Sequence, residues 1–206
     1  MAEPFELLET IKWTPGGGFF LLDRHLRRMD QSAAYFRYRC STADLRARLE
    51  RAVTGFSTAQ RVRLLLSRDG EIRVECTPLA VEDSTVELGI AATPVDPSDP
   101  FLYHKTTNRQ VYVNASRPDC EDVVLWNPER QVTESTIANI VVGVDGQKVT
   151  PPVACGLLAG TFRAELIETG AIREAIVTLD ELQAAAEIWL INSVREWRPA
   201  TLHRNR

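Results

Sequence analysis

The sequence predicts a two-domain fold, with a smaller α+β domain followed by a larger, strand-rich α/β domain. Its 206 residues exceed one average domain of roughly 150 residues. Helical and strand-like hydrophobic periods both recur along the chain, which indicates a mixed fold. Residues 94–101 hold three prolines in eight positions, a composition typical of a linker. We therefore expect domains at residues 1–93 and 104–206, joined by a linker at residues 94–103.

The bulk composition excludes several functional classes. With 44% hydrophobic and 25% charged residues, the chain can bury a core and does not resemble a disordered protein. A net charge of −4 argues against nucleic acid as a partner. No apolar stretch approaches the roughly 20 residues of a membrane span. The cysteines are widely spaced, which favours reduced thiols in a cytoplasmic protein, and the histidines lack the spacing of a metal site.

The first domain is predicted to combine hairpins with two helices. Asp23 is expected to cap the first helix, because apolar residues follow it at helical spacing. Asp69-Gly70 is expected to form a type I′ turn, the turn that this pair favours. In chain order, the predicted elements are strands at 5–13 and 19–22, helices capped by Asp23 and Thr42, a hairpin at 61–79 and a strand at 85–93.

The second domain is predicted to be rich in strands. Asp145-Gly146 provides another hairpin turn, and Gly170 is expected to end a helix that Gly160 opens. The predicted strands lie at 123–127, 131–135, 139–144, 148–152, 172–177 and 187–194, with helices at 160–168 and from Asp180.

Lys105 is a candidate for covalent chemistry. It is one of three lysines against 21 arginines, so few residues can serve lysine chemistry. A lysine that forms a Schiff base must lose its proton and keep its amine in place. Lys105 follows the predicted linker and precedes Thr106 and Thr107, whose hydroxyls suit a polar cleft at a domain junction. The alternative is an ordinary solvated lysine.

Glu134 is a candidate partner for a charged heterocycle. It lies among strand-like residues in Val132-Thr133-Glu134-Ser135. A carboxylate there can accept a hydrogen bond from a protonated ring nitrogen and keep that ring a strong electron sink. The alternative is an exposed glutamate at the end of a strand.

Three further segments are candidates for anion binding. Between Cys155 and Arg163, two glycines precede a helix start, where a ligand can approach the backbone and free N–H groups attract anions. No Gly-Lys-Ser/Thr follows, so this is not a Walker loop, and an ordinary loop-to-helix junction is the alternative. Arg28 lies opposite the apolar stripe of the first helix, where a solvated position is the alternative. Ser193 ends the last predicted strand.

Taken in chain order, these segments resemble the class IV aminotransferase family, the fold-type IV enzymes that use pyridoxal 5′-phosphate (PLP). The resemblance runs from Phe5 to Pro199. It implies a fold like that of D-amino-acid aminotransferase, with a trimmed N-terminal strand, because the family's opening strand does not precede Phe5. It also implies a homodimer.

The resemblance implies a role for each candidate residue. Lys105 would be the catalytic residue, bound covalently to PLP and moving protons. Glu134 would face the pyridine nitrogen, Leu158 would lie against the ring, and Asn139 would support the loop after the glutamate. The cofactor phosphate would be bound by Arg28, by the Ser193 hydroxyl and by backbone amides of the helix start at Gly160, Thr161 and Phe162.

Within the family, Lys105-Thr106-Thr107-Asn108-Arg109 is most similar to the Lys-x-x-Asn-Arg of aminodeoxychorismate lyases. That likeness implies conversion of 4-amino-4-deoxychorismate, a small amino-acid-like substrate, to 4-aminobenzoate and pyruvate in folate synthesis. Arg109 would bind a substrate carboxylate. Two alternatives stay open: an aminotransferase acting on branched-chain or D-amino acids, and a catalytically silent PLP-binding paralogue.

Overall fold

The computed structural model describes residues 4–80 and 84–203, whose contacts divide the chain into two compact units. The first unit contains residues 4–80 together with His104–Asn108, and the second contains residues 84–103 and 109–203. The predicted division differs from this grouping. The strand Val86–Ile90 belongs to the second unit because it pairs with strands there, and the predicted linker lies within that unit. His104–Asn108 belongs to the first unit, where Thr106 forms an antiparallel bridge with Leu7.

The first unit is an antiparallel four-stranded sheet with two helices. The elements are β1 (Leu7–Thr14), β2 (Gly18–Phe19), α1 (Leu22–Phe36), α2 (Thr42–Ala52), β3 (Gln60–Leu66) and β4 (Ile72–Pro78). The strand order in the sheet is β2-β1-β3-β4. The apolar stripe predicted for the first helix is buried at Leu26, Met29 and Ala33, and it packs with the sheet residues Leu7 and Ile11.

Both predicted helix caps in this unit were wrong by one or two residues. Helix α1 is preceded by Leu21, which has left-handed backbone angles and no side-chain capping bond, and Asp23 lies in the first turn instead. A carboxylate there still favours the helix through the helix dipole. Helix α2 is capped by Ser41, whose hydroxyl accepts a hydrogen bond from the Asp44 N–H, and Thr42 is the first helical residue.

The two Asp-Gly pairs form different turns. Asp145 and Gly146 both have positive φ, 49° and 74°, as the predicted type I′ turn requires. At the other pair only Gly70 has a positive φ, so that turn is not type I′. The Gly70 N–H donates to the Ser67 carbonyl at 3.1 Å, which makes a longer turn with the glycine in the left-handed position.

The second unit is built on an eight-stranded sheet. Its elements are β5 (Val86–Ile90), α3 (Gln110–Ala115), β6 (Asp122–Trp126), β7 (Val132–Ser135), β8 (Asn139–Val144), β9 (Gln147–Thr150), α4 (Thr161–Glu168), β10 (Arg173–Glu174), α5 (Leu179–Ala184), β11 (Ile188–Asn192) and β12 (Glu196–Leu202). The strand order is β10-β9-β8-β11-β12-β5-β6-β7. Strand β7 also pairs with β8, so the sheet curls back on itself.

Several elements of the second unit differ from the sequence prediction. Strand β10 has two residues rather than six, and β12, which contains Pro199, was not predicted as a strand. Helix α5 is capped by Thr178, which forms a capping box with Glu181, rather than by Asp180. No helix within residues 4–80 and 84–203 has the length and apolarity needed to cross a membrane.

Candidate active site

The backbone around Lys105 is fixed as an extension of the first unit's sheet. The Leu8 N–H donates to the Lys105 carbonyl at 3.0 Å, and the Thr107 N–H donates to the Glu6 carbonyl at 2.9 Å. The hydroxyl of Thr107 accepts a further hydrogen bond from the Glu6 N–H at 2.9 Å. Lys105 itself is half-buried, so it differs from the fully solvated lysine considered above.

His104 anchors the same segment to helix α1. Its Nδ1 lies 3.0 Å from the Ser32 hydroxyl, and its ring stacks on Tyr35 with centroids 4.4 Å apart. Burial lowers the pKa of His104, because a desolvated imidazolium is disfavoured. The residue before Lys105 is therefore held in place without adding a positive charge near neutral pH.

Arg28 belongs to a buried charge cluster rather than to a solvated helix face. Its Nε and Nη2 donate to the two carboxylate oxygens of Glu9, at 2.8 and 2.6 Å, and only 13% of its side chain is exposed. The Nδ1 of His25 lies 2.7 Å from Glu9 Oε2. Arg28 is therefore largely buried and paired, and the alternative of a solvated position does not hold.

Charge balance within this cluster controls its protonation. Burial raises the pKa of Glu9, but the positive Arg28 and the His25 contact outweigh burial and bring that pKa down to about 2. Burial lowers the pKa of His25 against the raising effect of Glu9, and the positive charges of Arg28 and Lys105 lower it further. The first unit therefore places two of the predicted site residues, Arg28 and Lys105, within electrostatic reach of one buried histidine.

Sequence reasoning missed Glu9, although its position carried a signal. In a strand, residues two apart share a face, so Glu9 lies on the same face as Leu7 and Ile11, which are both fully buried. A carboxylate on the core face of a strand needs a charged or hydrogen-bonding partner. That requirement would have pointed to a basic residue on the helix packed against β1.

Glu134 is buried on β7, with 4% of its surface exposed. Its Oε1 accepts a hydrogen bond from the Tyr112 hydroxyl at 2.8 Å, and its Oε2 accepts one from the Asn139 side-chain amide at 3.3 Å. The alternative of an exposed strand-end glutamate therefore does not hold. A buried carboxylate oriented from both sides can serve as a fixed hydrogen-bond acceptor.

Asn139 joins this carboxylate to the glycine-containing loop. Its side-chain amide also donates to the Leu158 carbonyl, at 2.9 Å. A Cβ added to Gly160 would overlap the amide oxygen of Asn139, so only glycine fits there. The second unit thus brings together Glu134, Asn139, Leu158 and Gly160, four of the residues that the resemblance implies around the cofactor.

The start of α4 and the end of β11 supply further polar groups. Thr161 and Phe162 form the first turn of α4 and are both buried, and Gly160 before them offers no capping side chain. The start of a helix attracts anions through its N–H groups and its dipole. Ser193 is also buried, in a turn where Asn192 Oδ1 accepts from two backbone N–H groups.

Arg109 is connected to Glu134 through Tyr112. Its guanidinium carbon lies 4.3 Å from the centroid of the Tyr112 ring, and its Nη2 donates to the Thr136 carbonyl. Tyr112 was not predicted as a site residue, because its contact to Glu134 joins positions 22 residues apart.

A model of the family described as amino-transferase class IV matches residues 6–202. The chain belongs to the class IV aminotransferase family. The match spans nearly all of the chain, so both units form part of the class IV domain.

Individual proteins that are similar to this class IV protein carry names that agree with the family match. A Schizosaccharomyces pombe protein named "Putative aminodeoxychorismate lyase" is 34% identical over 206 residues, covering 94% of this chain and 88% of that protein. A Mesorhizobium loti crystal structure named "Putative amino-acid aminotransferase" has a TM-score of 0.90 and 37% identity, covering 97% of this chain and all of the other. A Mycobacterium tuberculosis structure named "A hypothetical aminotransferase", in its PLP-bound form, has a TM-score of 0.82 at 22% identity, covering 98% of this chain and 82% of the other.

The class IV domain has the fold-type IV architecture, and its cofactor is PLP. The enzyme is a PLP-dependent lyase or transaminase that acts on small amino-acid-like substrates. The residues present suit this cofactor, because the chain offers a half-buried lysine, a buried carboxylate for a ring nitrogen, and a buried helix start for a phosphate. The role of each residue stays a prediction.

Proposed function

We propose that the protein is a 4-amino-4-deoxychorismate lyase that forms 4-aminobenzoate and pyruvate, a step of folate synthesis. The segment Lys105-Thr106-Thr107-Asn108-Arg109 carries this proposal, because it has the Lys-x-x-Asn-Arg pattern and its backbone is fixed beside β1. The S. pombe relative, whose name includes this lyase activity, supports the same choice.

Lys105 is the proposed catalytic residue. Its amine would hold the cofactor covalently at the aldehyde, and as a free base it would remove the proton from the amine-bearing carbon of the substrate. The hydrogen bond from the Leu8 N–H holds the Lys105 carbonyl, and the two hydrogen bonds between Glu6 and Thr107 hold the backbone that follows it. The bound PLP supplies an electron sink for the pair that this proton leaves behind.

The remaining residues bind and orient the cofactor in this proposal. Glu134 accepts a hydrogen bond from the ring nitrogen and keeps the proton there, and Asn139 supports Glu134. Leu158 lies against one ring face. The phosphate is bound by Arg28, by the Ser193 hydroxyl and by the backbone at Gly160, Thr161 and Phe162.

The reaction balances without a second substrate. The amine-bearing carbon loses a proton, and the bond between the ring and the enolpyruvyl oxygen breaks. The ring keeps its amine and becomes aromatic, giving 4-aminobenzoate, and the released enolpyruvate takes up a proton to give pyruvate. Arg109 is the proposed ligand of a substrate carboxylate.

One assay tests the lyase. Purified protein is supplied with PLP and 4-amino-4-deoxychorismate, with no keto acid, and 4-aminobenzoate and pyruvate are measured together. Equal amounts of the two products are expected. Turnover that requires an amino donor and a keto-acid acceptor would instead identify a transaminase.

A transaminase of branched-chain or D-amino acids is the second candidate. It is favoured by the M. loti structure, which is named as an amino-acid aminotransferase and matches along its whole length. A catalytically silent paralogue would bind PLP and show no turnover in either assay.

A homodimer and a cytoplasmic location are also proposed here. Light scattering on the purified protein tests the first, and fractionation of the source cells tests the second.

A further inference from the structure

The Tyr112 hydroxyl holds one oxygen of the buried Glu134 carboxylate. Tyr112 is 8% exposed and Glu134 is 4% exposed, and the hydroxyl-to-Oε1 distance is 2.8 Å. Asn139 donates to the other oxygen, so the carboxylate is fixed from both sides. A buried carboxylate without such donors would be costly, and it would be free to rotate.

The Tyr112 ring is itself held in place. It packs in the second unit's smaller core cluster with Leu102, Val123 and Leu125, and the Arg109 guanidinium covers it at 4.3 Å. Burial and the charge of Glu134 raise the pKa of Tyr112 well above its usual value, against a lowering effect of Arg109. The phenol therefore stays protonated and remains the donor.

We propose that Tyr112 is a positioning residue that orients Glu134. It also makes the Glu134 carboxylate a weaker acceptor of the proton that the carboxylate shares with the cofactor's ring nitrogen. This inference rests on the proposed contact between Glu134 and that nitrogen. A hydrogen bond donated to a carboxylate stabilises its charged form. With Tyr112 in place, the shared proton lies closer to the ring, which strengthens the electron sink.

Tyr112→Phe removes the donor and keeps the ring. Losing a hydrogen bond to a charged group is expected to lower kcat about tenfold and weaken cofactor binding by a similar factor. Glu134 becomes more basic and the ring less positive. The visible absorption band of the lysine-bound cofactor is followed as the pH is raised, and the pH at which it changes is called the band transition. In Tyr112→Phe the band transition should lie at a higher pH than in the wild type.

Tyr38→Phe is the matched control. Its hydroxyl also donates, at 2.6 Å, but to the Phe5 carbonyl in the first unit, so the same change should leave the band transition in place. In a protein that already carries Glu134→Gln, adding Tyr112→Phe should not shift the band transition further, because Tyr112 acts through Glu134. A band transition at the wild-type pH in Tyr112→Phe would overturn the inference while leaving the PLP site intact. A colourless wild type would overturn both.

A second measurement does not depend on the folding of the variant. Growth with 3-fluorotyrosine makes every phenol of the wild-type chain more acidic and a stronger donor. The band transition should then move to lower pH in labelled wild type. An unmoved transition in labelled, folded protein would also overturn the inference.

Discussion

Arg28 holds both carboxylate oxygens of Glu9, with Nε 2.8 Å from Oε1 and Nη2 2.6 Å from Oε2. Such a paired contact fixes the plane of the guanidinium as well as its position. Glu9 is 1% exposed, so the ion pair is shielded from water on its acidic side. The orientation of the proposed phosphate ligand is therefore set inside the first unit, before any cofactor binds.

Removing Glu9 should destabilise the first unit strongly. Glu9→Ala leaves Arg28 without its acidic partner in a partly buried position, which is expected to cost about 3–5 kcal/mol in the free energy of unfolding. Urea unfolding measures this. Glu75→Ala is the matched control, because its ion pair with Arg63 at 2.8 Å is exposed and worth about 1 kcal/mol or less. Equal losses from the two variants would contradict the prediction.

The stability contributed by Glu9 should disappear in acid. The pKa of Glu9 in the folded chain is about 2, against 4.5 for the free side chain. Because the folded pKa is the lower one, the contribution is complete above pH 4.5 and is lost as the pH falls to 2. It corresponds to about 3 kcal/mol.

Glu9→Gln provides the comparison for this titration. The variant lacks the titrating group, so the difference in unfolding free energy between wild type and variant should shrink as the pH falls from 4.5 to 2. A difference that stays constant across that range would show that the ionisation of Glu9 does not contribute to stability.

Lys105→Ala should abolish covalent cofactor binding. The visible band is expected to vanish, borohydride should fix no cofactor to the chain, and turnover should fall by at least about 10²–10⁴-fold. Lys148→Ala is the control, because that lysine lies 5.0 Å from the Trp189 ring and has no proposed role. Peptide mapping of borohydride-treated wild type identifies the modified residue. Label on Lys12 or Lys148 would overturn the assignment of Lys105.

Elements that depend on a local residue pattern were predicted from the sequence, and elements that depend on contacts between distant residues were missed. Short apolar runs bounded by turn signals were enough to predict β1, β3 and β8, and helical spacing was enough for α1. Strand β12 was not predicted, because a proline such as Pro199 disfavours a strand. In the structure Pro199 is exposed and pairs in register with Trp189. Helix α3 escaped because six residues give too short a period.

The same contrast between local patterns and distant contacts applies to the residues of the candidate site. Lys105 and Glu134 stand in segments that resemble the family's motifs, so their candidacy followed from sequence. Tyr112 acts on a residue 22 positions away, and no local pattern reports that distance. The hydrogen bond joins a side chain on α3 to one on β7, and only the folded unit brings the two together.

Arg109 should be distinguishable as a substrate ligand or a support for Tyr112. If it binds a substrate carboxylate, Arg109→Ala loses a charge-assisted hydrogen bond and KM should rise about tenfold or more. Arg109→Lys keeps the charge without the planar fork, so an intermediate KM is expected. Arg117→Ala is the control, because that arginine pairs with Asp119 in the same unit and has no proposed role. If KM stays unchanged and the band transition moves as in Tyr112→Phe, Arg109 supports the Tyr112 ring, and another residue binds the substrate carboxylate.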